Sequence, residues 1–156
     1  MHKLRVYLDT SVIGGCLDAG FADDSRRVVE AVCSGRLTAL VSEVVLRELE
    51  GAPDAVREIL LRMAPHNLER VELTDDVYDL QEAYLAAGVL GPRRGNDALH
   101  VAAATVARAD AIVSWNFRHI VRLDKIKAYN RVNFECGYGV LTILSPREVY
   151  TDAEIE

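Results

Sequence analysis

The chain has 156 residues, half of them hydrophobic and 27% charged, a composition that excludes a disordered polymer and suits one globular domain over 1–156. A formal net charge of −6 argues against nonspecific nucleic-acid binding over the whole surface, although a local basic stripe can still hold phosphates. No apolar run approaches the roughly 18 residues of a membrane span, and the opening MHKLRVYLD runs straight into a strand-like segment without the apolar core of a secretory signal, so a cytoplasmic location is expected.

In chain order, LRVYL reads as the first strand and ends at Asp9. DDSRRVVEAVCS (23–34) reads as a helix closed by Gly35, and LTALVS as the second strand. SEVVLRELE carries a short helix, and Pro53 begins PDAVREILLRMA. ERVEL reads as a third strand, after which Thr74 or Asp75 caps DVYDLQEAYLAAG, which stops at Gly88. GPRRG breaks structure before Asn96 caps a nearly apolar helix. AIVS is a fourth strand and VLTIL a fifth, with Pro146 opening a short terminal helix. This alternation predicts an α/β fold with a central, mainly parallel sheet flanked by helices in three layers.

Cys16, Cys33 and Cys136 are odd in number and widely spaced, the pattern of reduced structural thiols. Arg118, Arg122, Lys125, Lys127 and Arg131, opposed only by Asp124, form a basic stretch that suits either a solvated helix face or a phosphate track.

Four positions carry candidate chemistry. Asp9 ends the first strand, where ligands gather in parallel sheets, and capping of the next helix is its alternative role. Glu43 and Arg47 share a solvated helix face as an i, i+4 pair, whereas Glu48 falls on the apolar arc between Val44 and Val45. A carboxylate there needs a metal, a buried basic partner, or an extended side chain reaching water. Asp97 opens the apolar helix, whose dipole favours an anion in the first turn. Asn116 follows the fourth strand, placed either to hold a water or metal through its carbonyl oxygen or to shape a turn. Asp110, at the opposite end of that strand, is assigned a structural role. Trp115 suits core packing or stacking on a base.

The succession YLDTSVI, VSEVVLREL, NDALHVAAA and ADAIVSWNFRHI, from Leu4 to about Val149, resembles the PIN-domain ribonucleases, which include the VapC-type toxins of toxin–antitoxin pairs. The resemblance implies a PIN-like three-layer fold and a metal-dependent endoribonuclease. It assigns the family's first acid to Asp9, its helix glutamate to Glu48 and its third acid to Asp97. Where the family commonly has a fourth acid, this chain has Asn116 and, three residues on, His119.

Mg²⁺ or Mn²⁺ held by Asp9, Asp97 and Glu48 is the implied cofactor, with Asn116 holding a water or the substrate and Thr10 and Ser114 in support. RNA is the implied substrate, an antitoxin protein and a second copy of the chain are the implied partners, and no membrane is expected. Arg93 and Arg94, before Asp97, join the basic stretch as candidate phosphate contacts. The competing expectation is a catalytically weak or inactive PIN-like module that binds RNA or a protein partner. A phosphatase or receiver domain fits less well, since Asp9-Thr10-Ser11 lacks their second acid.

Overall fold

The computed structural model describes residues 3–65 and 67–149; the chain ends included in the single-domain expectation lie outside them. Five strands, β1 (Leu4–Leu8), β2 (Leu37–Ser42), β3 (Leu68–Val71), β4 (Ala111–Val113) and β5 (Thr142–Leu144), form one sheet in the order β3-β2-β1-β4-β5. Every pairing is parallel, so the mainly parallel sheet expected from the sequence is parallel throughout. Tyr7 and Leu8 of β1, Leu40 of β2 and Ile112 of β4 are fully buried, as central strands covered on both faces require.

Seven α-helices connect these strands: α1 (Thr10–Gly15), α2 (Ala22–Cys33), α3 (Glu43–Leu49), α4 (Asp54–Met63), α5 (Asp75–Ala86), α6 (Gly95–Val106) and α7 (Leu123–Glu135). Contacts group α1, α2 and α4 together and α5, α6 and α7 together, with α3 touching both α1 and α6. Amphipathic α2 buries Ser25, Val28, Val29 and Val32, its i, i+3, i+4 and i+7 positions. In α6, every residue from Ala98 to Thr105 is buried, so the expected apolar helix lies inside the domain. Gly35 and Gly88 take φ of +83° and +74° just beyond α2 and α5, the left-handed turn that releases a helix end at little steric cost.

The strand order puts a topological switch at β1. The chain moves outward from β1 through β2 to β3, then crosses to the other side and continues through β4 to β5. Open parallel sheets bind ligands in the crevice outside the carboxyl ends of the strands at such a point. Asp9 follows β1 and Ser114 follows β4 at that crevice.

Two local expectations are corrected. The GPRRG segment forms a 3₁₀ turn (Pro92–Arg94), and α6 starts at Gly95, so Asn96 lies within the helix and does not cap it. The terminal Pro146 helix is likewise a single 3₁₀ turn (Pro146–Glu148), closed by a capping box between Ser145 and Glu148. Among the described residues, no helix is long and apolar enough to cross a membrane.

Gly15 joins the two sides of the crevice. A Cβ there would lie 2.6 Å from Ser25 Oγ and 2.8 Å from Trp115 Nε1, atoms that hydrogen-bond each other at 2.8 Å. The indole is too rigid to yield cheaply. Gly15→Ala is expected to destabilise the fold by about 1–3 kcal/mol through overpacking, measured by urea unfolding followed through the fluorescence of Trp115; an unchanged midpoint would show that α1 can shift away.

Candidate functional site

Asp9 occupies the first position after β1 and is 4% exposed. It is the N-cap residue of α1; its side chain makes no bond of full capping geometry, but the Val12 amide in the first turn helps to hold its carboxyl down. Ser11 Oγ donates to Asp9 Oδ1 at 2.6 Å, and Ser114 Oγ donates to Asp9 Oδ2. Each hydroxyl is oriented by a backbone amide, Trp115 N–H to Ser11 Oγ and Asn116 N–H to Ser114 Oγ, both at 2.9 Å. Among the described residues, the side chains bonded to Asp9 are therefore neutral. Burial pushes the Asp9 carboxyl above its ordinary value, and the opposing pull of nearby His100, the two serines and the Val12 amide recovers only part of that rise.

Glu48 meets a different environment. Thr10 Oγ1 donates to its Oε1 at 2.9 Å, and His100 Nε2 lies 2.7 Å from the same oxygen. Burial raises its pKa, but the His100 and Thr10 contacts outweigh burial and leave it below the ordinary glutamate value. A buried basic partner is thus what accompanies this carboxylate on its apolar arc. Behind the imidazole, Nδ1 is 2.8 Å from Tyr7 Oη, which is 2.7 Å from Ser42 Oγ. Tyr7 and Ser42 are fully buried and His100 is nearly so.

Asp97 stands in the first turn of α6, with His119 Nδ1 3.4 Å from its Oδ2. Burial and then Arg94 hold the His119 pKa below its ordinary value despite that carboxylate. Asn116 Oδ1 accepts the backbone amides of Arg118 at 3.2 Å and His119 at 2.9 Å. Of its two possible roles, turn formation is the one displayed, and that turn carries His119 to Asp97.

Beside Asp97 a pocket of about 420 Å³ is lined by the 88–94 segment, His119 and Lys125. It holds the cations Arg93, Arg94 and Lys125, the last anchored by a 2.6 Å bond to Val89 O. Much of the basic stretch farther along pairs locally instead, Arg122 with Asp124 and Arg131 with Glu135. A larger pocket of about 640 Å³, between α2 and α4, contains none of the candidate carboxylates. Trp115 is core: it is 7% exposed, stacks against Phe21 with ring centroids 4.3 Å apart, and bonds Ser25.

The oxygen-only donor set of Asp9, Glu48 and Asp97 suits a hard divalent cation, and at Asp9 such an ion would offset the cost of holding a carboxylate ionised in a buried position. However, among the described residues no three His, Cys, Asp or Glu side chains are gathered to hold a metal together. The arrangement fits an ion anchored by one carboxylate and completed by waters, as Mg²⁺ commonly is, better than an enclosing three-carboxylate cage. The sequence reading missed His100 and its Tyr7–Ser42 support. The available signal was a lone histidine one helical turn after Asp97 in an otherwise apolar run, since a buried polar side chain must find partners.

The direction of the Asp9 shift has a stability consequence. An acid whose folded pKa is raised disfavours the native state when ionised; the penalty is complete above the folded pKa and vanishes as pH falls below the unfolded value, ordinarily 3.8. In chelator, Asp9→Asn is therefore expected to melt at a higher temperature than the parent at pH 7, with the gain shrinking toward pH 4. Parallel thermal-unfolding curves across that range would show that the serines compensate the charge fully.

No family model and no curated protein matches the chain. Among solved structures, it is similar in fold to a chain of the crystal structure of VapBC2 from Rickettsia felis bound to a DNA fragment from their promoter, at 16% identity and a TM-score of 0.54, the match covering 91% of this chain and 98% of that one.

Proposed function

We propose that this protein is a metal-dependent endoribonuclease of PIN type, acting as the toxin of a toxin–antitoxin pair. The observation that carries the reading is Asp9: a buried carboxylate whose hydrogen-bonded side-chain partners are the hydroxyls of Ser11 and Ser114, placed at the sheet's switch point. The resemblance of the four sequence motifs and the likeness in fold to a VapBC2 chain support the same reading. Antitoxin capture, a homodimer and a cytoplasmic location belong to it as further proposals.

Asp9 would hold Mg²⁺ or Mn²⁺, with Asp97 contributing directly or through water. When bound, such a cation offsets charge developing on the scissile phosphate and lowers the pKa of a coordinated water. Glu48 is suited to orienting the attacking water, because its side chain is 35% exposed and His100 and Thr10 favour its ionised form. Asn116 keeps the 114–119 turn in shape, and through it the Ser114 hydroxyl on Asp9. Arg93, Arg94 and Lys125 would take successive phosphates along the adjoining pocket, positioning a strand without reading its bases.

One observation favours a second reading, an inert RNA- or protein-binding module: Asn116 stands where an acid is common in the resembled family, and its carbonyl is already engaged by backbone amides. Metal dependence separates the two. Purified protein with a mixed RNA pool should cut in Mn²⁺ or Mg²⁺, stop in chelator, and lose about two orders of magnitude in rate or more on Asp9→Asn with Asp97→Asn. Equal cutting by parent and variant would reveal a contaminant; undiminished RNA binding in chelator without cutting would favour the module.

The phosphate track has its own measurement. Replacing Arg93 and Arg94 with Ala should make the plot of log affinity for single-stranded RNA against log salt shallower by about 1.4, roughly 0.7 for each phosphate that is no longer neutralised. An unchanged slope would place the strand elsewhere.

A further inference from the structure

We infer that His100 is a positioning residue for Glu48, held in place by Tyr7 and Ser42 beneath the site. The inference deepens the nuclease reading and rests on it for the catalytic consequence, but not for the geometry.

An ionised carboxylate only accepts hydrogen bonds, so the 2.7 Å contact requires a proton on His100 Nε2. On the far side of the ring Nδ1 pairs with the Tyr7 hydroxyl at 2.8 Å, and Tyr7 Oη pairs with Ser42 Oγ at 2.7 Å. Nε2–H thus points at Glu48, and Nδ1, Tyr7 Oη and Ser42 Oγ each have a partner behind it. Among the described residues no buried side-chain nitrogen or oxygen is left without a partner.

The scaffold makes this orientation rigid. Tyr7 is on β1 two residues before Asp9, Ser42 ends β2, and His100 lies one turn into α6 after Asp97. The Tyr7 and His100 rings also pack edge to face, with centroids 5.8 Å apart. Thus the elements carrying Asp9 and Asp97 jointly fix the imidazole that orients Glu48. Thr10, which follows Asp9, supplies the second bond to the same oxygen. With Oε1 fixed by two donors, Oε2 is the oxygen left to act on a water. The chemistry assigns Glu48 to water orientation and leaves Asp9 as the direct cation anchor.

The test uses the intact chain and compares the parent with His100→Leu, which removes the donor, and His100→Gln, which restores an amide donor at similar reach. Three readouts are taken: Mn²⁺ affinity by water-proton relaxation, kcat and KM for RNA cleavage, and the His100 Nε2–H resonance in ¹⁵N-histidine-labelled protein. A slowly exchanging Nε2–H is expected in the parent and should be lost in Glu48→Ala. His100→Leu should lower kcat about ten- to hundredfold, the range for removing a residue that orients a ligand, with KM and Mn²⁺ affinity little changed, and His100→Gln should recover most of the loss. If His100→Leu does not fold, Tyr7→Phe carries the test, because it removes only the ring's anchor and should act in the same direction.

Parent-like kcat in the folded Leu or Phe variants of a cleaving parent would overturn the inference, as would an Nε2 resonance indifferent to loss of Glu48. A parent whose slowly exchanging Nε2–H is lost in Glu48→Ala but which cuts no RNA would uphold the positioning role and defeat the nuclease reading alone. No cleavage by the parent, together with an Nε2 resonance indifferent to Glu48→Ala, would overturn both.

Discussion

The rest of the site depends on placing a carboxylate at the end of a strand that is buried on both faces. Asp9 cannot reach bulk water from there, and an unpaired charge in such surroundings costs far more than a well-bonded one. Two serine hydroxyls reduce that cost, and both depend on the β4 exit: Ser114 lies on it, while Ser11 is oriented by the amide of Trp115. The close approach of α1 at Gly15 to Trp115 and Ser25 is what holds the β4 exit against α1. Core packing and the electrostatics of the site are therefore one construction.

The three carboxylates differ because their partners differ. Asp9 meets dipoles, Glu48 meets an imidazole with a built support behind it, and Asp97 sits at the positive end of α6 near His119. At Asp9 the serine hydroxyls, the Val12 amide and the pull of His100 together do not overcome burial, so its carboxyl shifts toward the neutral form. The bonded imidazole and Thr10 do overcome it at Glu48, which shifts toward the ion. Paired titratable groups pushed in opposite directions are a familiar basis for dividing roles between an ion anchor and a proton acceptor.

Much of this was legible in the sequence where local chemistry decides the outcome. β1 and β2 run over LRVYL and LTALVS as read, Gly35 and Gly88 end their helices, and the Glu43–Arg47 pair forms at 3.2 Å on the solvated face of α3. Asp110 accepts the Arg5 amide at 2.8 Å, a structural task at the end of the sheet away from Asp9. The misses came from long-range geometry. Asn96 has good capping chemistry, but the 3₁₀ turn advances the start of α6 past it. The end of α6 carries no glycine signal, because Arg108 itself adopts φ 57° while its carbonyl accepts the Arg5 guanidinium at 3.1 Å. His100 and Tyr7 are 93 residues apart, so nothing local could announce that they share a hydrogen bond.

Asn116 holds the geometry around it without supplying a charge. Its Oδ1 accepts two backbone amides, a task that an aspartate oxygen at the same place would perform equally well. An amide at this position therefore keeps the turn, the Ser114 contact to Asp9 and the placement of His119, with one negative charge fewer than an acid would bring. Each added carboxylate strengthens attraction for a cation but also raises the cost of leaving the site empty, since like charges confined together repel. For the proposed nuclease, three acids that do not gather into one cage, two of them supplied with imidazoles, would tip that conflict toward a single, water-rich ion. In the nuclease reading, catalysis then rests less on metal count than on how firmly Glu48 is aimed, which makes the buried Ser42–Tyr7–His100 chain the part of the fold closest to function without touching the substrate.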